Sequence, residues 1–176
     1  MKAIPFVLAG ALTACAAAAP PDRHVEVLSS GGAAFANYRT FGIGPAREPA
    51  PPFQLSERAL EVEQRIRPLV VAELSRKGYT EQVGQARPDL LLKFAVGYAT
   101  RAPAVHQGDP GSSSGGMTGE MVVDAFDGAS GVQVWRGTAQ SEVDPDKVDG
   151  QLLQYAVEHL FATFPGRPTV ASAHAP

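Results

Sequence analysis

Gly119-Glu120-Met121-Val122-Val123-Asp124-Ala125-Phe126, then Asp127-Gly128-Ala129-Ser130-Gly131, then Val132-Gln133-Val134-Trp135-Arg136, is the stretch on which the fold turns. Two runs rich in β-branched and aromatic residues flank a cluster of turn residues, and that combination predicts a β-hairpin. In the first arm Met121, Val123 and Ala125 share one face, while Val122 and Phe126 share the other, as the two-residue period of a strand requires. The second arm is predicted to run from Val132 to Glu142.

Upstream of the hairpin, Thr100 to Thr118 is dominated by glycine, serine and proline and reads as a flexible loop. Before it, Asp89 to Ala99 alternates Leu90, Leu92, Phe94 and Val96 with Leu91, Lys93, Ala95 and Gly97. That strand starts apolar on both faces, which suits the interior of a sheet. Further back, Ala59, Val62, Ile66, Leu69, Val70 and Leu74 make one helical stripe, with Ser56 as expected N-cap and Gly78 as stop. Pro68 lies inside this helix and is expected to kink or split it near Arg65 to Arg67, and one bent helix is the reading kept. Asn37 to Ile43 and His24 to Leu28 read as two earlier strands. Downstream, the aspartate-rich turn Asp144 to Gly150 offers Asp146 or Asp149 as N-cap for a helix over 149–164, closed by Pro165.

The element order is therefore β, β, α, β, β, β, α. It predicts an α+β fold: a mainly antiparallel sheet of four to five strands with both helices packed on one face. The strand at 37–43, the first helix and the strand at 89–99 suggest a parallel βαβ crossover within it.

The N-terminus speaks to location. Lys2 and the apolar stretch Ile4 to Ala11 precede Leu12-Thr13-Ala14-Cys15, which together make an export signal. Cys15 is the only cysteine of the chain. Its position behind Leu-x-Ala resembles a bacterial lipobox. That resemblance implies cleavage after residue 14 and diacylglycerol on the Cys15 sulfur. The competing readings are an uncleaved membrane helix over 3–19, which is short and weakly apolar, and a free thiol in an ordinary signal. Ala16 rather than aspartate follows Cys15. In Gram-negative lipoproteins that pattern points to the outer membrane rather than the inner one. The expected layout is a signal over 1–14, a lipidated tether over 15–24, a single domain over 25–165 and a mobile tail over 166–176.

Composition excludes several classes. Hydrophobic residues make up 44% of the chain and the formal net charge is −3, so no basic excess favours nucleic acid. With Cys15 lipidated, no disulfide staples the domain, and the core alone must hold it. The histidines His24, His106, His159 and His174 have no metal-ligand spacing, and no metal or cofactor is expected. Asp144 to Gly150 fails the register of a calcium loop, with Tyr155 where the twelfth-position glutamate belongs. No Gly-x-Ser-x-Gly occurs, and Ser112, Ser113 and Ser114 lie in the glycine-rich loop. Paired carboxylates of a glycosidase remain open in sequence, since their pairing is spatial. Trp135 reads either as a packed core residue or, with Tyr38 and Tyr98, as part of a binding surface.

Tyr38-Arg39-Thr40-Phe41, Lys77-Gly78-Tyr79, Pro88-Asp89-Leu90, the Asp127-Gly hairpin, Val134-Trp135-Arg136-Gly137 and Leu160 to Phe164-Pro165 occur in this order. As a series they are similar to a bacterial lipoprotein family known as the domain of unknown function number 4136. The resemblance spans about residues 25–165 and implies an envelope location and an α+β fold, but no activity. Ser112 to Gly116 departs from the aromatic sequence that family members carry there. The leading expectation is a non-enzymatic lipoprotein, anchored to the membrane through Cys15, that serves an envelope protein partner. The alternatives are a carrier or sensor of a small apolar ligand such as a lipid, and an envelope hydrolase using carboxylates.

Overall fold

The computed structural model describes residues 23–30, 35–84, 86–100, 116–144 and 147–167. Cys15, the tether up to residue 22, most of the predicted loop over 100–118 and the tail beyond 167 lie outside the described residues; Arg23 and His24, expected in the tether, belong to the first strand. Among the described residues the strands are β1 (Arg23–Ser29), β2 (Thr40–Ile43), β3 (Thr80–Glu81), β4 (Leu90–Thr100), β5 (Met117–Asp127) and β6 (Gln133–Val143). The helices are α1 (Ala59–Arg76) and α2 (Gly150–Ala162).

The hairpin forms as its sequence requires, with Asp127 and Gly131 closing the turn and Gly131 at φ 73°. Its arms extend to Met117 and Val143, and β4 runs on through Thr100, so the strands take residues from both ends of the predicted loop. The sheet order is β1-β6-β5-β4-β2-β3. It is a six-stranded mixed sheet rather than a mainly antiparallel one of four to five strands. β1, β6, β5 and β4 pair antiparallel, whereas β2 runs parallel to both β4 and β3. The parallel half arises because α1 carries the chain back before β3 and β4 begin. β3 is only two residues long, too short to leave an alternation pattern.

β2 is also shorter than predicted. Phe35–Asn37 form a 3-10 turn, and the Asp89 carboxylate takes the amides of Arg39 and Thr40, so pairing starts only at Thr40. α1 is neither split nor ended at Pro68. That proline is on the exposed face, where the carbonyl left without its amide is solvated and costs little. Ser56 does not cap α1. Its hydroxyl accepts from Arg58 N at 3.1 Å and its carbonyl from Ala59 N at 2.9 Å, making a turn one step earlier. Gly78, at φ 90°, ends the helix as predicted.

Both helices pack on one face. Ile66, Val70 and Leu74 of α1, with Val157, Leu160 and Phe161 of α2, meet Leu90, Leu92, Phe94, Val123, Ala125 and Trp135 of the sheet. The helices run in the same direction. Lys77 Nζ, just past α1, donates to the carbonyl of Ala162 at the end of α2 at 3.4 Å. The beginnings of both helices therefore meet at the other end of the molecule.

Candidate functional site

The two ends of the sheet are built differently. At the hairpin end, aromatic and acidic residues lock the chain. Trp135 is 1% exposed and stacks on Phe161 with centroids 5.3 Å apart, while Phe164 meets its edge at 5.0 Å. Gly137 makes room for that indole: a Cβ there falls 2.5 Å from Trp135 Cη2 and 2.8 Å from Leu160 Cδ2. Asp89 Oδ2 accepts from Arg39 N, Thr40 N and Thr40 Oγ1 at 2.8–3.0 Å. Asp127 Oδ1 accepts from Ala129 N, Ser130 N and Ser130 Oγ, and its Oδ2 from Tyr38 OH at 2.8 Å. These donors, the Ser130 amide first, hold the Asp127 carboxyl down to about 2. Burial, then the bond to Asp127, pushes the Tyr38 phenol up to about 12. Tyr79 OH donates to the carbonyl of Pro165 at 2.8 Å.

On the sheet face away from the helices, Asp124 is 0% exposed. Arg136 grips it through Nε at 2.6 Å and Nη2 at 3.1 Å, and Arg47 contacts it from the segment that continues β2 along β4. The hydrogen bond to Asp124 holds the Arg136 guanidinium protonated above its ordinary range. This carboxylate is consumed by two guanidinium groups and is not a free acid or base.

Among the described residues the other end of the molecule is open. Between the sheet and the beginnings of α1 and α2 lies a cavity of about 360 Å³, within the range of roughly 300–1,000 Å³ typical of ligand sites. Val25, Val96, Met121 and Ala139 form its sheet wall, and Val62, Leu153 and Ala156 its helix wall. Several of these apolar side chains join the core cluster yet remain partly exposed, among them Val25, Val62, Val96 and Leu153. The cavity exists because the sequence places Ala139 and Ala156 here, where the hairpin end has Trp135, Leu160 and Phe164; the space over Gly119 is taken by Val143. Arg23, Arg58 and Lys147 line its rim. Arg23 lies over the Tyr155 ring at 4.3 Å, and Asp149 caps α2 by accepting from Gln151 N and Leu152 N.

The sequence candidates do not come together. Trp135 faces the core and offers no binding surface, because Gly137 and the α2 aromatics enclose it. Tyr38 is half-buried at the hairpin end with its hydroxyl spent on Asp127. Tyr98 alone lines the cavity, and its backbone pairs with Gln54. Cys15 lies outside the described residues. His159 donates from Nδ1 to the Tyr155 carbonyl at 2.8 Å and stacks on the Tyr155 ring. The cavity residues escaped sequence reasoning because valine, alanine and methionine at strand spacing look like any core. The one available signal was the run of small residues, Gly119, Ala139 and Ser141, on a single face at one end of the hairpin.

The family model described as "Domain of unknown function (DUF4136)" matches residues 25–166. No curated protein matches the sequence. Among solved structures, a PDZ domain protein from Parabacteroides distasonis superposes with a TM-score of 0.55 at 17% identity over 82% of this chain. The chain spans 37% of that protein's length. The PelC dodecamer from Paraburkholderia phytofirmans gives a TM-score of 0.52 at 12% identity, covering 83% of this chain and 99% of that one. A DUF4136 family protein from Bacteroides thetaiotaomicron gives 0.51 at 14% identity, covering 80% and 94%. At such identities the likeness to these structures is one of fold alone.

Proposed function

The chain belongs to the DUF4136 family, and on that premise we propose that it is a lipid-anchored, non-enzymatic accessory module of the bacterial envelope. The observation that carries this reading is Leu12-Thr13-Ala14-Cys15 behind a basic, then apolar, start. One acyl chain gives marginal membrane binding, but two or more on one residue make attachment lasting. Among the described residues no helix is long and apolar enough to cross a membrane, so the anchor is the means of attachment in this reading. Ala16 after Cys15 favours the outer membrane.

Support for a non-enzymatic role comes from how the acidic side chains are used. Asp89, Asp127 and Asp149 accept backbone amides, and Asp124 is held by two arginines. The residues that mark the family are the ones that build the hairpin end, so they account for fold and leave the partner unspecified. A second copy of the chain is the first partner to test, because the PelC structure of the same fold is a dodecamer.

The test joins two measurements in cells. Metabolic labelling with a palmitate analogue is expected to mark the wild-type chain and not Cys15→Ala. Crosslinking in intact cells, followed by mass spectrometry, is expected to recover an envelope protein or further copies of this chain with the wild type only. Labelling of neither chain removes the anchor from the reading; equal recovery with both removes its importance for partnering.

A further inference from the structure

We propose that the cavity between the sheet and the helix beginnings takes one acyl chain of a lipid, with the polar end at the rim. The walls are apolar where a chain needs them: Val62 and Leu153 from the helices face Val96 and Met121 of the sheet. Ala139 on the sheet side and Ala156 on the helix side keep the hollow open. Apolar walls left against water are unfavourable in proportion to their area, and an acyl chain is the occupant that relieves this without needing a buried polar partner. Charge stands at the rim and not deeper, through Arg23 and the Lys147–Asp144 pair at 3.2 Å, so a head group meets its polar partners there.

The geometry also supplies a source. Arg23 opens β1 and lines the rim. It follows Cys15 by eight residues, a reach of at most about 28 Å when fully extended. Leu55 and Leu60, both exposed, flank the lining residues Ser56 and Arg58 on the same side. In the anchored protein, on which this part of the inference rests, the mouth therefore opens within reach of the membrane. The acyl chain comes either from a free lipid of that membrane or from the protein's own anchor.

The test uses full-length Cys15→Ala protein and 11-(dansylamino)undecanoic acid as fluorescent probe. Saturable binding at one probe per chain, displaced by dodecanoate, is expected. Ala139→Leu with Ala156→Leu fills the hollow and is expected to weaken binding by about tenfold or more, with an unchanged circular dichroism spectrum and a melting temperature that does not fall. If that double variant fails to fold, Val62→Phe narrows the cavity from the α1 side and serves instead. No saturable binding, or binding unaffected by a folded cavity-filling variant, overturns the proposal. Binding by the lipidated wild type equal to that of Cys15→Ala assigns a free lipid as source. Loss of probe binding only in the lipidated protein assigns the anchor. Failure of palmitate labelling defeats the anchor reading alone, since the probe result with Cys15→Ala stands without it.

Discussion

Asp127 and Tyr38 show how two residues far apart in sequence set a pH range for the fold. The Asp127 carboxyl is held at about 2, below the ordinary value of about 3.9. Its folded-state pKa is depressed, so its stabilisation is complete above that ordinary value and is lost as the pH falls toward 2. The Tyr38 phenol is raised to about 12, above its ordinary value of about 10. Its contribution is complete below pH 10 and is lost as the pH rises toward 12. Tyr38→Phe is expected to lower stability by about 1 kcal/mol at neutral pH. It also moves the acid loss to higher pH, because Asp127 loses one donor; urea midpoints measured from pH 2 to 7 check both. Gly137→Ala is expected to cost about 1–3 kcal/mol, since the added methyl enters the Trp135 ring; the same urea titration reads it. The turn role of Asp127 was legible, because aspartate before glycine has a local mechanism. Its bond to Tyr38 was not, because no local pattern links residues 89 positions apart.

Most elements with strong local chemistry were read correctly, the Ser56 cap excepted, and those set by their neighbours were not. The hairpin, the Gly78 stop and Asp149 as one of two caps for α2 all follow from residues next to one another. Asp149→Ala is expected to cost about 1 kcal/mol, seen as a lower thermal midpoint with an intact sheet signal. Pro68 leaves one continuous helix, as the reading of a single bent helix has it; the sequence does not show that its side of the helix is bathed in solvent. Pro68→Ala is expected to change stability by less than about 1 kcal/mol, measured by chemical denaturation, and a larger gain contradicts that account. The parallel neighbours of β2 were half legible, through the helix that separates it from β4. β3 owes its existence to Thr80 N reaching the Arg39 carbonyl at 3.0 Å, a contact with no trace in its own two residues.

Across the whole molecule, bulk runs down from one end of the sheet to the other, and the two faces carry different loads. The helix face holds the core and the cavity; the opposite face holds Asp124 between its arginines. Arg136→Met is expected to cost about 3 kcal/mol, because Arg47 alone then compensates a fully buried carboxylate; a smaller shift in urea midpoint means water reaches Asp124 in the variant. The family resemblance could be read because its residues lie at the heavy end, where aromatic and acidic side chains stand out. The cavity could not, because it is defined by what is small. The register of β1 has a consequence in time. Arg23 pairs with Ser141 and Ser29 with Trp135, so the strand nearest the N-terminus has no place to bind until the last strand is present. In a chain delivered from its N-terminus, the sheet stays one strand short until almost the whole sequence has emerged, and its first strand waits for its last.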